Sequence, residues 1–452
     1  MTGIPLIIAF VVAVVLMIIA ISKWKVHPFL SIMGVSVLLA LVAGIPLTDV
    51  PGVIGAGFSG TFSSIGIVII LGALIGSILE QTGAALKLAD MVVKLVGKKN
   101  PELALELMGW VVSIPVFCDS GFVILDPIRK ALVKRTGSSS VAATVALSAG
   151  LYISHVFIPP TPGPIAAANT LGIGDNLLLV IGLGVLCSIF PLAAGLVYAK
   201  FIGKKVKSKD ELVEAGEVVK TYEELVAGYG KLPGGFNALA PIIVPVILMA
   251  LGTIGKQLGV TGFALNLLIF LGTPIISLAV GTIFAIAQLA IAKKMGEFYK
   301  ITNDTLKTVG PILFVTAAGG VLGKVISSTT MVAYITENAN FLMNLGIFFP
   351  FLLAAILKTA QGSSTVAITT TAGIMAPMMV SLGLGTPALG ALTVMAIGAG
   401  AMTVSHANDS YFWVVTNFGE MTPDQGYKTQ TILTLVMGIA SIIGIFLVSL
   451  FF

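Results

Sequence analysis

Residues 103–128, LALELMGWVVSIPVFCDSGFVILDPI, are the most informative stretch of the chain because they fit neither a loop nor two membrane spans. A spanning helix needs about 20 apolar residues, so this stretch is too short to cross twice. Basic clusters at 94–99 and 129–135 flank it, and basic clusters favour the cytoplasmic side. Its centre holds Pro115 and then the polar sequence 118–121. We therefore predict a re-entrant helical hairpin whose tip lies near mid-membrane, inside protein or against water.

The composition predicts a polytopic membrane protein. Of the 452 residues, 57% are hydrophobic and 10% are charged, whereas about 25% of residues in a typical soluble domain are charged. Twenty acidic and 25 basic side chains cannot cover a soluble protein of this length. The apolar stretches leave room for ten to fourteen membrane segments. A nucleic-acid binder, a secreted disulfide scaffold and a soluble enzyme are excluded on these grounds.

The positions of lysine and arginine predict the topology. Lys23 and Lys25 place the first loop in the cytoplasm. Both termini are then expected on the outer side of the cell membrane. The N-terminal run is expected to be the first span, 4–21, because it lacks the basic start of a cleaved signal. Arg129 and Arg135 are interpreted as orienting charges. The other predicted spans are 28–46, 62–80, 177–200, 237–254, 268–292, 309–327 and 430–451.

One charged stretch, residues 203–236, divides the chain near its middle. It has too few apolar residues for a core and is expected to be a cytoplasmic linker. It separates a first transmembrane repeat, 1–202, from a second, 237–452. In the first repeat a helix at 141–158 is interrupted by the proline-rich segment 159–164, because consecutive prolines cannot continue a helix.

The second half follows the same plan as the first. It contains a predicted hairpin at 345–372, broken at 361–365, and a helix at 386–404 that breaks at 405–410. Matching features lie about 250 residues apart and in the same order: Gly72 to Gly76 with Gly319 to Gly323, Ser120 with Ser364, and Ser154-His155 with Ser405-His406. Five spans in the first half would make the second copy inverted, and inverted repeats with broken helices are typical of secondary transporters. The alternative is chance matching of small residues in glycine-rich helices.

Asp119, at the tip of the first hairpin, is a candidate site residue. A charge at mid-membrane costs roughly 2.5 kcal/mol or more unless it is solvated or paired, so such residues usually have a function. The alternative is that Asp119 caps the half-helix that follows. Asp126, next to Arg129, is expected to pair locally.

Small polar residues mark both hairpin tips. The N-termini of half-helices present unpaired N–H groups that suit an anionic carboxylate, and neighbouring hydroxyls suit a sugar-type substrate. An ordinary alternative is that these side chains bond their own backbone. The tip candidates are Ser120 and Gly121 in the first hairpin and Gln361, Gly362, Ser363, Ser364 and Thr365 in the second.

Histidines and buried charges near the breaks are further candidates. The candidates for carrying a proton are Asp119, His155, His406 and Asp409. A histidine could instead hold the broken backbone by hydrogen bonding. Buried Lys358 could pair with Asp119, Asp409 or the substrate, and Lys324 could do so or extend to the interface. The sequence shows no metal-binding spacing, Walker A motif or hydrolase motif, so we expect no cofactor, no metal site and no ATP drive.

Four segments together resemble the gluconate permease (GntP) family of bacterial proton symporters, within the ion transporter superfamily. They are PVFCDSGFVILDPIRKAL from 115, SHVFIPPTPGPIAAA from 154, KTAQGSSTVAITTTAGIMAP from 358 and SHANDSYFWVV from 405. The resemblance covers nearly the whole chain. It implies an all-α fold of two inverted repeats, each with a re-entrant hairpin and a broken helix. Because relatives in the superfamily are often dimers, it also suggests a homodimer.

The resemblance implies proton-coupled uptake of gluconate or a related small hydroxylated monocarboxylate. Other members of the family carry idonate, fructuronate, glycerate or D-serine. It adds Thr161, Gly163, His406 and Asn408, at the helix breaks, to the candidate substrate contacts. Sodium-coupled relatives carry Ser-Asn-Thr at both tips, whereas these tips read CDSG and QGSST, which favours protons. A channel or an intramembrane enzyme is the competing class.

Overall fold

The computed structural model describes residues 3–88, 91, 100–209, 232–257, 262–331, 334, 345–406 and 409–452, without the side chains of several helical residues, among them Ser120, Arg135 and Gln361. This described part of the chain is built from helices and contains no strand. Seven of its helices are long and apolar enough to cross a membrane, and shorter apolar helices accompany them. The chain is therefore an all-α, multi-pass membrane protein, as its composition predicts.

The first half contains eight principal helices within the described residues. They are α1 (Ile4–Ser22), α2 (Pro28–Ala43), α3 (Val50–Gln81), α4 (Pro101–Val112), α5 (Cys118–Thr136), α6 (Ser140–Phe157), α7 (Pro162–Thr170) and α8 (Leu177–Ile202). The predicted hairpin break separates α4 from α5, and the proline-rich segment separates α6 from α7. The second arm, α5, runs beyond the predicted limit of 128 to Thr136.

The second half contains nine principal helices in the part that the structure describes. They are α9 (Gly235–Gln257), α10 (Gly262–Gly272), α11 (Pro274–Ile291), α12 (Phe298–Ser327), α13 (Phe348–Gln361), α14 (Ser364–Met375), α15 (Pro387–Met402), α16 (Ser410–Phe418) and α17 (Ile432–Ser449). Both predicted breaks are present, between α13 and α14 and between α15 and α16.

Several predicted bounds are wrong. The span at 268–292 is two helices, because Thr273 is extended and Pro274 starts a new helix. The spans at 62–80 and 309–327 are the later parts of α3 and α12, which have 32 and 30 residues. Of the predicted linker, residues 210–231 lie outside the described residues.

The helix breaks follow from local backbone chemistry. Gly362 ends α13 in the left-handed region at φ 90°, which glycine adopts without a Cβ clash. Ser363 then starts α14 as its N-cap, accepting a bond from the Val366 amide at 3.3 Å. Pro162 occupies the first turn of α7, where its missing N–H costs nothing. The inverted relation of the two halves, the re-entrant depth of the hairpins and the orientation of the termini stay predictions.

Arg129 lies within α5 and not in a loop, whereas the side chain of Arg135 lies outside the described residues. Arg129 is fully buried, and its Nε lies 2.6 Å from Asp126 Oδ1, which confirms local pairing of Asp126. Its guanidinium also donates to Ser140 Oγ at 2.6 Å and to the Phe418 carbonyl at 3.2 Å. Because α5 continues past the hairpin arm, this residue lies against α6 and α16. It fastens the first hairpin to the second broken helix.

Candidate functional site

A cavity of about 400 Å³ brings both hairpin tips and the second broken helix together. The cavity lies where helices begin or end at the breaks, so that backbone groups and side chains at the helix ends face a common space. The lining residues are His27, Pro28, Phe117, Cys118, Asp119, Tyr152, His155, Pro311, Ile312, Val315, Gly362, Ser363, Ser364, Thr365, Val366, Asp409, Ser410 and Tyr411.

Asp119 is a half-buried carboxylate in the first turn of α5. Its Oδ1 accepts a hydrogen bond from Ser410 Oγ at 3.3 Å, which links the first hairpin tip to α16. The N-cap of α5 is Phe117, and Asp119 lies in the first turn that follows it. Among the described residues, no basic side chain forms an ion pair with Asp119.

The second tip supplies a helix N-terminus to the same cavity. Ser363, Ser364 and Thr365 line it at the start of α14. The first N–H groups of a helix have no intrahelical acceptor, and the helix dipole places partial positive charge beside them. An anionic carboxylate is the ligand that such an end suits best.

Lys358 and Asp409 form a buried ion pair beside the cavity. Lys358 Nζ lies 2.6 Å from Asp409 Oδ2, and the exposed fractions of the two side chains are 0% and 6%. Asp409 lines the cavity, whereas Lys358 lies behind it. Pairing with Asp409 was one of the alternatives for Lys358 in the sequence, and this is the one found.

The three histidines differ in position. His155 lines the cavity, is buried, and stacks on Tyr152 with ring centroids 6.4 Å apart. His406 does not line it, and its Nε2 lies 3.0 Å from the Thr359 carbonyl, as expected for a histidine that holds broken backbone. His27 lines the cavity and caps α2, accepting from the Phe29 amide, but was not among the candidates. The signal in the sequence is that His27 directly precedes Pro28, which starts α2, so that His27 is placed to cap this helix.

Other candidates lie away from the cavity lining. Thr161 donates to the Ile158 carbonyl at 2.7 Å, and Gly163 packs closely against Ile368, so both serve the turn between α6 and α7. Gly121 is buried against Leu151. Lys324 is exposed, in agreement with the interface alternative. Asn408 lies outside the described residues, as do the side chains of Ser120 and Gln361.

Helix breaks around a cavity that contains a carboxylate and a helix N-terminus, in a bundle of membrane-spanning length, are typical of transporters of small molecules. The chain belongs to the GntP family: the model of the GntP family permease matches residues 4–451. The resemblance found in the sequence is thus confirmed. The family and its relatives are permeases, so the chain is a transporter and the alternative of an intramembrane enzyme is set aside.

Relatives match over nearly the full length. An uncharacterized permease of Haemophilus influenzae is 34% identical over 92% of this chain and 86% of that protein. The low-affinity gluconate transporter of Escherichia coli is 30% identical over 98% of each. The gluconate permease of Zymomonas mobilis is 29% identical over 98% of this chain and 97% of that protein.

Two solved structures share the fold. The YdaH transporter of Alcanivorax borkumensis has a TM-score of 0.63 and 16% identity, over 94% of this chain and 97% of that chain. MtrF of Neisseria gonorrhoeae, described with a class of antimetabolite efflux pumps, has a TM-score of 0.67 and 16% identity, over 95% of this chain and 96% of that chain. At this identity the similarity supports the architecture alone.

Proposed function

We propose that this transporter carries gluconate, or a related small hydroxylated monocarboxylate, into the cell together with a proton. The observation that carries the proposal is the juxtaposition of Asp119, which has no ion-pair partner among the described residues, with the N-terminus of α14 in one cavity. The names of the gluconate-transporting relatives support the substrate class. The cell membrane is the proposed location.

The charges of the cavity account for coupling. Lys358 and Asp409 neutralise each other, which leaves the charge of Asp119. A substrate carboxylate at the α14 N-terminus would then share the cavity with a second anion. Two unit charges about 4 Å apart repel by about 4 kcal/mol at an effective dielectric of 20. That repulsion weakens binding by roughly three orders of magnitude, and a proton on Asp119 removes it. Proton and substrate therefore bind together.

The candidate proton sites differ in their surroundings. Asp409 has a lysine partner, and His406 lies outside the cavity lining. His155 lines the cavity and is the second choice after Asp119. Of the substrate contacts, Ser363, Ser364 and Thr365 are proposed for the carboxylate. Asp119 and Ser410 face the same space and suit the substrate hydroxyls.

Proton coupling predicts how uptake responds to gradients. In proteoliposomes, an inward proton gradient should drive accumulation of labelled gluconate above its external concentration, because each anion enters with a proton. A protonophore should collapse this accumulation, and a sodium gradient alone should not produce it. Uptake that follows sodium and ignores the protonophore would contradict the proposal.

The serine hydroxyls at the second tip predict an effect on affinity. Ser364→Ala should raise the transport KM for gluconate roughly ten- to a hundredfold, because a hydrogen bond to a charged group contributes about 1.5–3 kcal/mol. Ser363→Ala should do the same but also removes the N-cap of α14, so Ser363→Asn, which retains a capping oxygen, is its control. Uptake at varied gluconate concentration measures KM. An unchanged KM in both alanine variants would place the carboxylate elsewhere.

Competition identifies the substrate within the class. Unlabelled hydroxy acids of three to six carbons and D-serine are added to the same uptake assay. We expect gluconate to compete most strongly. Counterflow of labelled gluconate distinguishes a carrier from a channel, because only a carrier exchanges labelled for unlabelled substrate.

A further inference from the structure

The ion pair between Lys358 and Asp409 joins the two broken elements of the second half. Lys358 lies in the last turn of α13, just before the hairpin break, and Asp409 is the N-cap of α16, just after the helix break. Their charged atoms are 2.6 Å apart, and both side chains are almost completely inaccessible to solvent. Taking two charges out of water is costly, so a pair at this depth needs close geometry and additional hydrogen bonds.

Those additional hydrogen bonds are present. Asp409 Oδ2 accepts from Ser405 Oγ at 2.5 Å and from the Tyr152 hydroxyl at 3.4 Å, and Oδ1 accepts from the Tyr411 amide at 3.0 Å. Lys358 Nζ also donates to the Gly362 carbonyl, which α13 leaves free at its end. The ammonium lies 5.8 Å from the centre of the Tyr152 ring. The pair therefore connects the hairpin break, the helix break and α6.

We propose that Lys358 and Asp409 form a permanent, charge-neutral clasp that positions the second hairpin tip against α16, and that neither residue carries the transported proton. This inference rests on the proposed function. Lys358 does not line the cavity, whereas Gly362 and Asp409 do, so Lys358 acts through them as a positioning residue. The clasp leaves the charge of the cavity to its other titratable side chains, which are His27, Cys118, Asp119, Tyr152, His155 and Tyr411.

The alternative is that Asp409 itself binds the proton. Protonation would then leave Lys358 as a buried ammonium without a counter-ion, and breaking one half of a buried pair is strongly unfavourable. Replacing both members by neutral residues of similar volume is often tolerated. Single and double substitutions therefore respond differently according to whether the pair is a clasp or a proton site.

The experiment compares Asp409→Asn, Lys358→Met and the double variant as full-length protein in proteoliposomes. Exchange of gluconate is measured without a pH gradient, and accumulation with one. Each single substitution should lower exchange at least about tenfold, because one buried charge is left unpaired. The double variant should recover exchange to within about fivefold of wild type, and it should still accumulate gluconate in a protonophore-sensitive way.

Two outcomes would overturn the clasp. A double variant that exchanges gluconate but cannot accumulate it would show that one of the pair carries the proton. A folded double variant as impaired as the single variants would show that charge balance is not what the pair provides. Wild-type protein that exchanges gluconate without pH-driven accumulation would instead overturn the proposed function. The clasp would still be testable, because recovery of the double variant is measured as exchange in the absence of a pH gradient.

Ser405→Ala keeps the inference testable if the double variant does not fold. It removes one donor from Asp409 but leaves both charges in place. Under the proposal, the rate of exchange falls while its dependence on pH is unchanged. A shifted pH profile would show that Asp409 titrates during transport and would overturn the clasp.

Discussion

Asp119→Asn is expected to abolish accumulation of gluconate under a pH gradient while exchange of gluconate continues. Asparagine has nearly the same shape as aspartate and retains an oxygen that can accept the 3.3 Å bond from Ser410, but it cannot bind and release a proton. Without a titrating group beside the bound anion, substrate movement no longer requires a proton. The measurement is the ratio of internal to external labelled gluconate in proteoliposomes, which should fall to that of liposomes treated with protonophore.

A matched control and a second variant sharpen this test. Asp304→Asn removes an exposed carboxylate on α12 and should leave accumulation unchanged. Asp119→Ala should also lower exchange, because it removes the contact that joins the first hairpin tip to α16. An Asp119→Asn protein that still concentrates gluconate would refute the assignment and make His155 the next proton site to test.

Gly76→Ala is expected to impair both folding and transport. A Cβ at this position of α3 would lie 2.0 Å from the carbonyl oxygen of Pro115, in the break between the arms of the first hairpin. The added Cβ would meet a backbone atom, so no side-chain rotation relieves the clash. We expect a loss of about 1–3 kcal/mol in stability, in the range of overpacked cores. We also expect at least a tenfold loss of exchange, because the break that precedes Asp119 must move.

Gly60→Ala is the control for the same helix. A Cβ there meets nothing within 4 Å, so the substitution should be neutral or stabilise α3 by about 0.5–1 kcal/mol. Thermal unfolding in detergent and gluconate exchange are measured for both variants. Equal behaviour of the two would contradict the close packing of α3 against the hairpin break.

The helix breaks could be predicted from sequence because their causes are local. Proline removes a donor and fixes φ, and glycine permits the left-handed conformation, so Pro115, Pro162 and Gly362 mark the interruptions directly. Pro274 carries the same local signal, but the apolar run continues across this break, so that one predicted span contains two helices. Proline and glycine therefore predict that a break exists more accurately than they predict where the flanking helices begin and end.

The contacts across the site could not be predicted in the same way. The sequence offers three partners for Lys358. Asp409 is selected only in the folded bundle, where α13 packs against α15 and the chain after α15 brings Asp409 to Lys358. Thr161 and Gly163 were assigned to the site from the resemblance, but their side of the turn is filled by backbone and by Ile368. His27 was missed because α2 lies far from the tips in sequence and reaches the cavity only in the folded bundle.

The glycines that match between the two halves have similar roles but different contacts. Gly72 and Gly76 approach the backbone at Pro160 and Pro115, in the two breaks of the first half. Their counterparts, Gly319 and Gly323, approach the backbone of α14. Both pairs permit close packing against a hairpin or a break, which is why small residues recur there. The contacts differ in detail, and the inversion of the second half stays a prediction.

Proton movement driven by substrate tests coupling most directly. Proteoliposomes with a pH-sensitive dye inside receive an inward gluconate gradient and no pH gradient, with membrane potential clamped by potassium and valinomycin. If each anion enters with a proton released inside, the wild-type protein should acidify the lumen as gluconate enters, and Asp119→Asn should admit gluconate without acidification. Entry of gluconate through the wild-type protein at constant internal pH would contradict proton-coupled transport.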